Sequence, residues 1–433
     1  MCGVRGSKAY ARKAHHTVKQ ESRVKFLLVA NIFPPLHGGS AIVYENLACF
    51  APPDAVHVLA PWRNYMGGRE IAGWRDHDAQ AAYPISRIEL LRPPMSEGSS
   101  KSAIAAAYRA LTIDVPVYAQ VLKEVCSIVR REKVNLLCIG ELASGSWIGV
   151  ACKRLFGIPY INYIHGEEIT TEMPYRRFGQ KRREHLHQAD GIVAVSDFTT
   201  QALQDLMGVP RDKIRVIHNG VNVERFTPSD PHPDILARHG LSGRKVILSV
   251  GRQVPRKGFD HVIDAMPAIL AECPEAHYLV VGDGDYRSEL ERRVTANGLE
   301  GQVSFAGSVS LADLPRYYQS CDLFVMPNRE MPDGDTEGFG VVFLEANACR
   351  KAVIGGRAGG AVEAVRDGQN GLLVDGNDPR EIASAVIRLL KDDALRESLA
   401  EWGLEYARAS SWQVQTERFM DLCQEIVDRR VNS

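Results

Sequence analysis

Short apolar runs recur along the chain and alternate with longer amphipathic stretches. In the first half the runs lie at residues 24–30, 55–60, 136–139 and 160–165. Runs of this length, rich in Val, Ile and Leu, are typical of buried parallel strands. The stretch 103–131 has the spacing of a helix. Strands that alternate with helices predict an α/β protein with a doubly wound parallel sheet.

The same alternation resumes after a proline-rich stretch at residues 228–234. An apolar run that closes one sheet and is followed by prolines marks a domain boundary. Later apolar runs, each followed by a helical pattern, lie within residues 245–266, 277–290, 303–327 and 351–390. We therefore predict two α/β domains and a closing helix, at residues 24–225, 226–408 and 409–433.

Length and composition agree with two globular domains. The chain has 433 residues, 45% of them hydrophobic and 24% charged, with a net charge of -1, so nothing in its overall charge suggests nucleic-acid binding. The nine cysteines form no C-x-x-C pair, which favours a reducing compartment. No apolar run reaches the ~18 residues of a membrane-spanning helix. We expect a cytoplasmic protein, with peripheral attachment to the inner face of the membrane as an alternative.

Two segments carry little hydrophobic pattern. Residues 1–23 are basic, and we expect a disordered extension, with a tether to an anionic membrane as the alternative. Residues 61–102 are rich in Gly, Pro, Arg and Ser, and we interpret them as loops.

The stretch DGDTEGFGVVFLEA, residues 333–346, carries the first candidate chemistry. It places Glu337 in a glycine-rich turn and Glu345 on the helix that follows. Glycines let a ligand approach the main chain, and the free N–H groups of a helix start favour an anion such as phosphate. Carboxylates on either side of the anion can accept hydrogen bonds from the hydroxyl groups of a sugar and of a ribose. The spacing of the two glutamates is by itself weak evidence for such a site, because a helix cap needs only one of the two carboxylates.

Cations follow the first strand of the second domain. In KVILSVGRQVPRKG, residues 245–258, an apolar run leads to Arg252 and Lys257. Arginine can grip a diphosphate as a fork and lysine as a point charge, although ordinary surface cations are the alternative. The nearby GDGDYR carries Arg287 where a dinucleotide fingerprint needs its third glycine, which argues against a nicotinamide or flavin enzyme.

Two strand ends in the first domain also carry candidates. Gly38 and Gly39 follow the first strand, and a tight turn alone would explain them. His165 ends the run YINYIH, at the edge where parallel sheets place ligands, although a lone histidine is usually a surface or satisfied core residue. Asp333 and Asp335 spell a D-x-D metal motif, but we do not expect this pair to bind a metal ion.

A basic run follows His165 by about ten positions. A charge run of this kind is usually a solvated helix face, and the alternative is a surface for an anionic acceptor or an anionic membrane. Its members are Arg176, Arg177, Lys181, Arg182 and Arg183.

Residues 333–346 and 251–258 together resemble one known family. The first resembles the E-x7-E region, and GRQVPRKG resembles the GR-x4-KG signature, of retaining glycosyltransferases of family four, which have the GT-B fold. That family includes phosphatidylinositol mannosyltransferases and bacterial surface-glycan enzymes. The resemblance covers residues 24–427 and implies two Rossmann-like domains that face each other across a cleft.

The resemblance also implies roles for the candidates. Arg252 and Lys257 would neutralise the leaving diphosphate, Glu345 would bind ribose hydroxyls, and Glu337 and His165 would hold the donor sugar. The implied catalytic residues are His165, Glu337, Arg252 and Lys257. The implied donor-binding residues are Gly38, Gly39, Arg252, Lys257, Gly282, Val309, Glu337, Gly338, Phe339, Gly340, Val341 and Glu345.

The expected activity is metal-independent transfer of a hexosyl unit from a UDP- or GDP-sugar, with retained anomeric configuration and no cofactor. The acceptor would be a glycan, a lipid-linked molecule or a small molecule, and the sequence does not choose among them. The alternatives are a nucleotide-sugar-binding protein that transfers nothing and an epimerase or phosphorylase on the same fold.

Overall fold

A computed structural model describes residues 24–36, 38–66, 68–94, 103–171 and 176–431 of the chain. The predicted basic extension, residues 1–23, lies outside these ranges. The described residues form two parallel sheets with helices packed on both faces, and each sheet has its own buried core.

The first sheet has seven parallel strands in the order β3-β2-β1-β4-β5-β6-β7. Its inner strands are buried along their whole length, because helices cover both faces and leave no solvent-facing side. The strands are β1 Phe26–Val29, β2 Val56–Pro61, β3 Ile85–Ile88, β4 Leu136–Ile139, β5 Tyr160–Ile164, β6 Gly191–Ala194 and β7 Ile214–Val216.

The helices of this domain connect the strands in chain order. They are α1 Gly39–Phe50, α2 Trp74–Gln80, α3 Ala103–Arg109, α4 Val115–Glu132, α5 Leu142–Phe156, α6 Glu167–Thr170, α7 Arg176–Gln188 and α8 Asp197–Met207. A π-helical turn, Ala110–Asp114, joins α3 to α4, and the short 3-10 turn Arg211–Lys213 precedes β7.

The second sheet has six parallel strands in the order β10-β9-β8-β11-β12-β13. They are β8 Lys245–Val250, β9 Ala276–Val281, β10 Val303–Gly307, β11 Leu323–Met326, β12 Ala352–Gly356 and β13 Gly371–Val374. The helices that follow α8 are α9 Pro233–Arg238, α10 Phe259–Glu272, α11 Arg287–Ala296, α12 Leu314–Gln319, α13 Val341–Ala348, α14 Ala361–Ala364, α15 Pro379–Lys391, α16 Asp393–Ala409 and α17 Trp412–Val431.

Strand order reverses once in each sheet, between β1 and β4 and between β8 and β11. In parallel α/β sheets the crevice beyond the carboxyl ends of the strands at such a reversal is where ligands bind. The predicted fold class, two Rossmann-like domains with doubly wound parallel sheets, is confirmed.

The chain crosses between the two sheets twice at one place. Val221 donates its N–H to the carbonyl oxygen of Ser410 at 3.1 Å, and Trp412 donates to the carbonyl oxygen of Val221 at 3.1 Å. Helix α17 then returns to the first sheet, where Phe419 meets Phe26 edge to face with ring centroids 5.3 Å apart. The last helix therefore completes the core of the first domain.

The structure corrects the interpretation of residues 61–102 as loops. This segment contains helix α2 and strand β3, which pairs in parallel with β2 at the edge of the first sheet. Both elements are only partly buried, since only Ile88 of β3 is fully buried and no residue of α2 is. Edge elements need no continuous apolar run, and this is why the hydrophobic pattern did not reveal them.

Candidate active site

The predicted site residues follow strand ends in both sheets. Gly38 comes after β1 and His165 after β5, while Arg252 and Lys257 follow β8. Gly282 and Val309 follow β9 and β10, and residues 337–345 lie between β11 and the end of α13. All of them therefore lie at the carboxyl edges of the two parallel sheets, in loops or at helix starts.

An ion pair joins the two loops at the reversal point of the second sheet. The ammonium group of Lys257 contacts Oε2 of Glu337, and both side chains are largely buried. Asn328 donates from Nδ2 to the same oxygen at 3.2 Å. Burial alone would raise the pKa of Glu337, but Lys257, Arg256 and Arg252 outweigh it and hold that pKa below its usual value. Glu337 is therefore a carboxylate at neutral pH.

Two arginines of the same loop have different surroundings. Arg252 is exposed, and its side chain makes no hydrogen bond to any residue that the structure describes. Arg256 donates from Nη1 to both oxygens of Asp335, at 2.7 and 2.8 Å, and its Nη2 lies 3.9 Å from Glu167 of the first domain. Asp335, the second aspartate of the D-x-D string, is therefore paired with an arginine.

Arg256 is a site residue that sequence reasoning missed. It lies between Arg252 and Lys257 in the same loop. Its position inside the motif GRQVPRKG is the sequence signal that could have identified it. A bidentate ion pair stabilises the end of this loop. Nη1 and Nη2 of Arg329 each donate to a carboxylate oxygen of Asp260 at 2.8 Å. Asp260 lies in the first turn of α10, three residues after Lys257, so the pair fixes the start of that helix against the chain after β11.

Glycines at the start of α13 bring the two domains into contact. Gly340 caps the helix with φ of 94°, a left-handed conformation that favours glycine. A Cβ added at Gly338 would overlap the carbonyl oxygen of His165 in the first domain. Phe339 is buried, and its ring stacks on His218 with centroids 5.2 Å apart. Val341 begins the helix, so the predicted sugar-binding turn lies directly against the first domain.

Glu345 lies one turn further along α13 and is buried. Tyr318 donates its hydroxyl to Oε2 of Glu345 at 2.7 Å. Burial raises the pKa of Glu345, and the Tyr318 hydrogen bond and Arg225 oppose that rise. Glu345 also lines a cavity between the domains, opposite Ile42 and Asn46 of α1. Glu337 and Glu345 therefore lie on either side of the start of α13, in different surroundings.

His165 is held by Tyr44, a residue of α1 that sequence reasoning did not single out. Nε2 of His165 lies 2.7 Å from the Tyr44 hydroxyl, which also contacts the carbonyl oxygen of Gly140. A carbonyl oxygen only accepts, so the one hydroxyl proton goes to Gly140 and Nε2 of His165 donates to Tyr44. Burial lowers the pKa of His165 to about 4, so the imidazole is neutral at pH 7 and its Nδ1 is an acceptor.

Glu168 lies beside His165 and has an unusual ionisation. Its Oε1 accepts a hydrogen bond from the backbone N–H of His165 at 2.9 Å. Burial raises the pKa of Glu168 to about 7, since Glu167 and Glu141 add repulsion while hydrogen bonds from the backbone oppose it. No local sequence signal marks this residue, because the shift depends on its tertiary surroundings.

The predicted basic surface is only partly a surface. Arg182 is buried and donates to the carbonyl oxygen of Glu168, so it supports the segment after His165 instead of facing solvent. Arg183 is exposed and donates to the carbonyl oxygen of Leu206 at 3.0 Å, and Lys181 is exposed. The side chains of Arg176 and Arg177 lie outside the described part of the structure.

A carboxylate of the second domain clamps a helix of the first. Glu363 accepts from the backbone N–H groups of Asp197 and Phe198 at 2.8 and 2.9 Å, and His218 lies 3.1 Å from the same carboxylate. Asp197, His218 and Glu363 have ligand atoms within 4.8 Å of one another, so their spacing could hold a metal ion. Both oxygens of Glu363 already accept hydrogen bonds, which favours an interdomain clamp instead.

The remaining predicted residues have structural roles that the geometry explains. Gly282 adopts φ of 116°, and its N–H donates to the carbonyl oxygen of Gly307 at 2.8 Å. Val309 is half-buried and packs against the main apolar core. Gly38 caps α1, and Gly39 begins it. None of these four makes a described hydrogen bond to Lys257 or Glu337.

Among the described residues, no helix is both long and apolar enough to cross a membrane.

Two family models match the chain on either side of the domain boundary. The model described as "Glycosyltransferase Family 4" matches residues 100–225, and the model described as "Glycosyl transferases group 1" matches residues 233–405. The second match contains Arg252, Lys257, Glu337 and Glu345.

Two bacterial relatives align with nearly the whole chain. A GDP-mannose-dependent monoacylated alpha-(1-6)-phosphatidylinositol monomannoside mannosyltransferase of Corynebacterium glutamicum is 30% identical over 92% of this chain and 98% of its own length. A GDP-mannose-dependent alpha-(1-6)-phosphatidylinositol monomannoside mannosyltransferase of Mycolicibacterium smegmatis is 30% identical over 90% of this chain and 95% of its own length.

Solved structures with the same fold include HepE of Anabaena, crystallised with UDP and glucose. It has a TM-score of 0.72 at 21% identity and covers 93% of this chain and 99% of its own. Sucrose-phosphate synthase of Thermosynechococcus elongatus has a TM-score of 0.73 at 21% identity and covers 94% of this chain and 100% of its own. The family models, the full-length relatives and the two-sheet fold lead to one conclusion: the chain is a glycosyltransferase and belongs to family four, with the GT-B fold.

Proposed function

We propose that this glycosyltransferase moves a hexosyl unit from a nucleotide sugar to a hydroxyl group of a lipid-linked acceptor, with retained anomeric configuration and without a metal ion. GDP-mannose is the first donor to test, because both full-length relatives are named as GDP-mannose-dependent. The acceptors in those names are phosphatidylinositol mannosides, and they are the reason for preferring a lipid-linked acceptor here.

The observation that carries the proposal is the buried Lys257–Glu337 pair, with Arg252 exposed beside it and His165 across the domain contact. A buried cation paired with a carboxylate can exchange that partner for a diphosphate, which carries more charge. Donor binding would therefore draw Lys257 toward the phosphates. Glu337 would then be free to accept hydrogen bonds from sugar hydroxyl groups.

The reaction itself needs charge stabilisation above all. The bond between the anomeric carbon and the diphosphate oxygen breaks, and the acceptor oxygen bonds to the same carbon from the same face. The acceptor's hydroxyl proton passes to the departing nucleoside diphosphate. Arg252 and Lys257 stabilise the negative charge that grows on the diphosphate oxygen, which is the main electrostatic task of such a step.

His165 contributes as a hydrogen-bond acceptor. Its pKa of about 4 keeps the ring neutral at pH 7, and Nε2 is engaged with Tyr44. Nδ1 would then accept a hydrogen bond from a hydroxyl group of the donor sugar, which orients the sugar between the domains.

Charge already present in the protein supports the metal-independent part of the proposal. Arg252, Arg256 and Lys257 supply three positive charges in one loop. Asp335 is paired with Arg256, so its carboxylate has a partner within the protein.

Donor binding is tested by thermal stabilisation with GDP, UDP, ADP and GDP-mannose, each with magnesium or with a chelator. We expect GDP and GDP-mannose to raise the Tm equally under both conditions. Lys257→Ala should abolish the shift, because the ammonium group is lost. Lys391→Ala, whose amine pairs with Glu272 on the surface of the same domain, is the matched control and should keep it.

Transfer is tested by NMR of the product formed from GDP-mannose and a phosphatidylinositol mannoside. A product with the donor's anomeric configuration is expected. An inverted product would contradict retention, and release of free hexose-1-phosphate would identify a phosphorylase. Donor binding without turnover on any acceptor would favour a nucleotide-sugar-binding protein.

A further inference from the structure

An uncovered apolar stripe runs along the helical segment before β4. Ile104, Tyr108, Leu111, Val115 and Tyr118 are spaced by four, three, four and three residues. Their exposed fractions are 83%, 70%, 71%, 55% and 39%. With Ile113, they make up six of the twelve exposed large apolar side chains among the described residues.

The stripe is the continuation of a buried seam. The same spacing continues through Val121, Val125 and Ile128, which are fully buried against the first sheet. Surface helices normally turn such a seam toward the core along their whole length. Here α4 does so only in its second half, and the first half with α3 lies uncovered.

Topology places the uncovered half near the cleft. The segment connects the carboxyl end of β3 to the amino end of β4, so α3 begins at the carboxyl edge of the first sheet. Residues 103–132 rise about 45 Å in helical geometry, whereas a strand of the sheet spans about 15–20 Å. The apolar half is therefore at the same edge as His165 and extends past the strands.

No residue in the described part of the chain covers this stripe. Residues 95–102 read MSEGSSKS and residues 1–23 are basic and polar, so neither contains an apolar run that could pack on five large side chains. Between residues 103 and 123 the charged side chains are Arg109, Asp114 and Lys123. None of these three belongs to the stripe, and a one-sided apolar face is typical of a helix that lies in a membrane interface.

The side chains around the stripe fit the same partner. Tyr108 and Tyr118 belong to the stripe, and Tyr118 packs edge to face on Trp147 with centroids 5.0 Å apart. The guanidinium of Arg92 lies 4.6 Å from the ring centre of Tyr65 in the loops at the same edge. Tyrosine, tryptophan and arginine are the side chains that suit the boundary between headgroups and hydrocarbon.

We propose that the stripe Ile104–Leu111–Tyr118 lies in the interface of a lipid bilayer and presents the cleft to membrane-embedded acceptors. The inference rests on the proposed function for the choice of a lipid-linked acceptor, but it is tested without acceptor or donor. Because the contact is apolar, binding should occur on neutral lipid and should change little with salt.

Co-sedimentation of the full chain with phosphatidylcholine vesicles tests the proposal. We expect the wild-type chain to bind, and Leu111→Glu to reduce the bound fraction at least tenfold. Trp402→Glu, which places the same charge at an exposed aromatic on α16, is the matched control and should bind as the wild type does. Leu111→Gln is the second variant, and it should weaken binding without adding charge.

Tm and GDP-induced stabilisation of each variant separate this inference from folding and from the proposed function. Lost vesicle binding with unchanged Tm supports the stripe, whether or not transfer is observed. The proposal is overturned if the wild-type chain does not bind neutral vesicles, or if the Leu111→Glu variant binds them as the wild type does. A dimer that Leu111→Glu converts to a monomer, with no vesicle binding, would instead assign the stripe to a second copy of the chain.

Discussion

At the scale of single residues, the hydroxyl proton of Tyr44 determines the tautomer of His165. Tyr44 can donate only once, and its contact with the Gly140 carbonyl oxygen leaves the hydroxyl oxygen to accept from Nε2 of His165. Tyr44 is thus a positioning residue, which selects the tautomer of a ring that faces the donor sugar in the proposed reaction.

Tyr44→Phe tests this positioning role. We expect kcat to fall about fivefold, since one hydrogen bond is worth about 1 kcal/mol, while donor affinity stays within about twofold. The ¹⁵N chemical shifts of the His165 ring should show a mixture of tautomers.

Tyr163→Phe is the matched control for Tyr44→Phe. The Tyr163 ring also lies against His165, with centroids 5.4 Å apart, but its buried hydroxyl has no partner among the described residues. Equal losses of kcat in the two variants, or an unchanged tautomer in Tyr44→Phe, would show that only packing matters.

Glu168 and His165 predict opposite effects of pH on stability. The folded pKa of Glu168 is about 7, above its ordinary value of 4.5, so the folded state holds a proton longer and stability falls as pH rises from 4.5 to 7. The folded pKa of His165 is about 4, below 6.5, so stability rises between pH 4 and 6.5. In the wild-type chain the two contributions oppose each other.

Glu168→Gln removes one of these contributions and keeps an acceptor for the His165 N–H. Relative to the wild type, the free energy of unfolding of this variant should increase between pH 4.5 and 7 by about 1–3 kcal/mol. Urea unfolding at four pH values measures the difference. A flat difference between Glu168→Gln and the wild type over this pH range would refute the raised pKa of Glu168.

At the scale of elements, the start of α13 serves two purposes. Its glycines leave the backbone open, and Gly338 also allows the helix start to approach His165 more closely than any side chain would permit. The contact joins backbone to backbone, so neither side can yield by a rotamer change.

Gly338→Ala should therefore push the domains apart. An overlap of this kind costs about 1–3 kcal/mol, which is relieved if the cleft opens. We expect a larger radius of gyration by small-angle X-ray scattering and a transfer rate reduced at least tenfold. Gly39→Ala, at a helix start with nothing within 4 Å of an added Cβ, should keep the radius of gyration, and an unchanged radius in Gly338→Ala would contradict the expectation.

Elements also show how far the sequence could lead. The strands, the Arg252 and Lys257 loop and the Glu337 turn were predictable because each depends on residues close together in the chain. Arg256 with Asp335, Tyr44 with His165 and Glu363 with Phe198 were not, since the partners are 79, 121 and 165 positions apart. Strand β3 was not predicted, because an edge strand buries too few side chains to show an apolar pattern in the sequence.

At the scale of the whole molecule, several contacts hold the domains around the cleft. Gly338 meets His165, Arg256 approaches Glu167, and Glu363 caps the first turn of α8. Opening would break polar and backbone contacts while the crossings stay paired, and this arrangement suits a hinge that admits donor and releases product.

The return of α17 to the first sheet also orders events during synthesis. The second domain is one continuous stretch and can fold as soon as it leaves the ribosome, whereas the first lacks Phe419 and its helix until Trp412–Val431 has been added. For that interval the face around Phe26 and Tyr163 has no cover. Nascent first domains are then the natural clients of chaperones, and a premature stop codon near residue 410 would damage the half of the protein that was translated first.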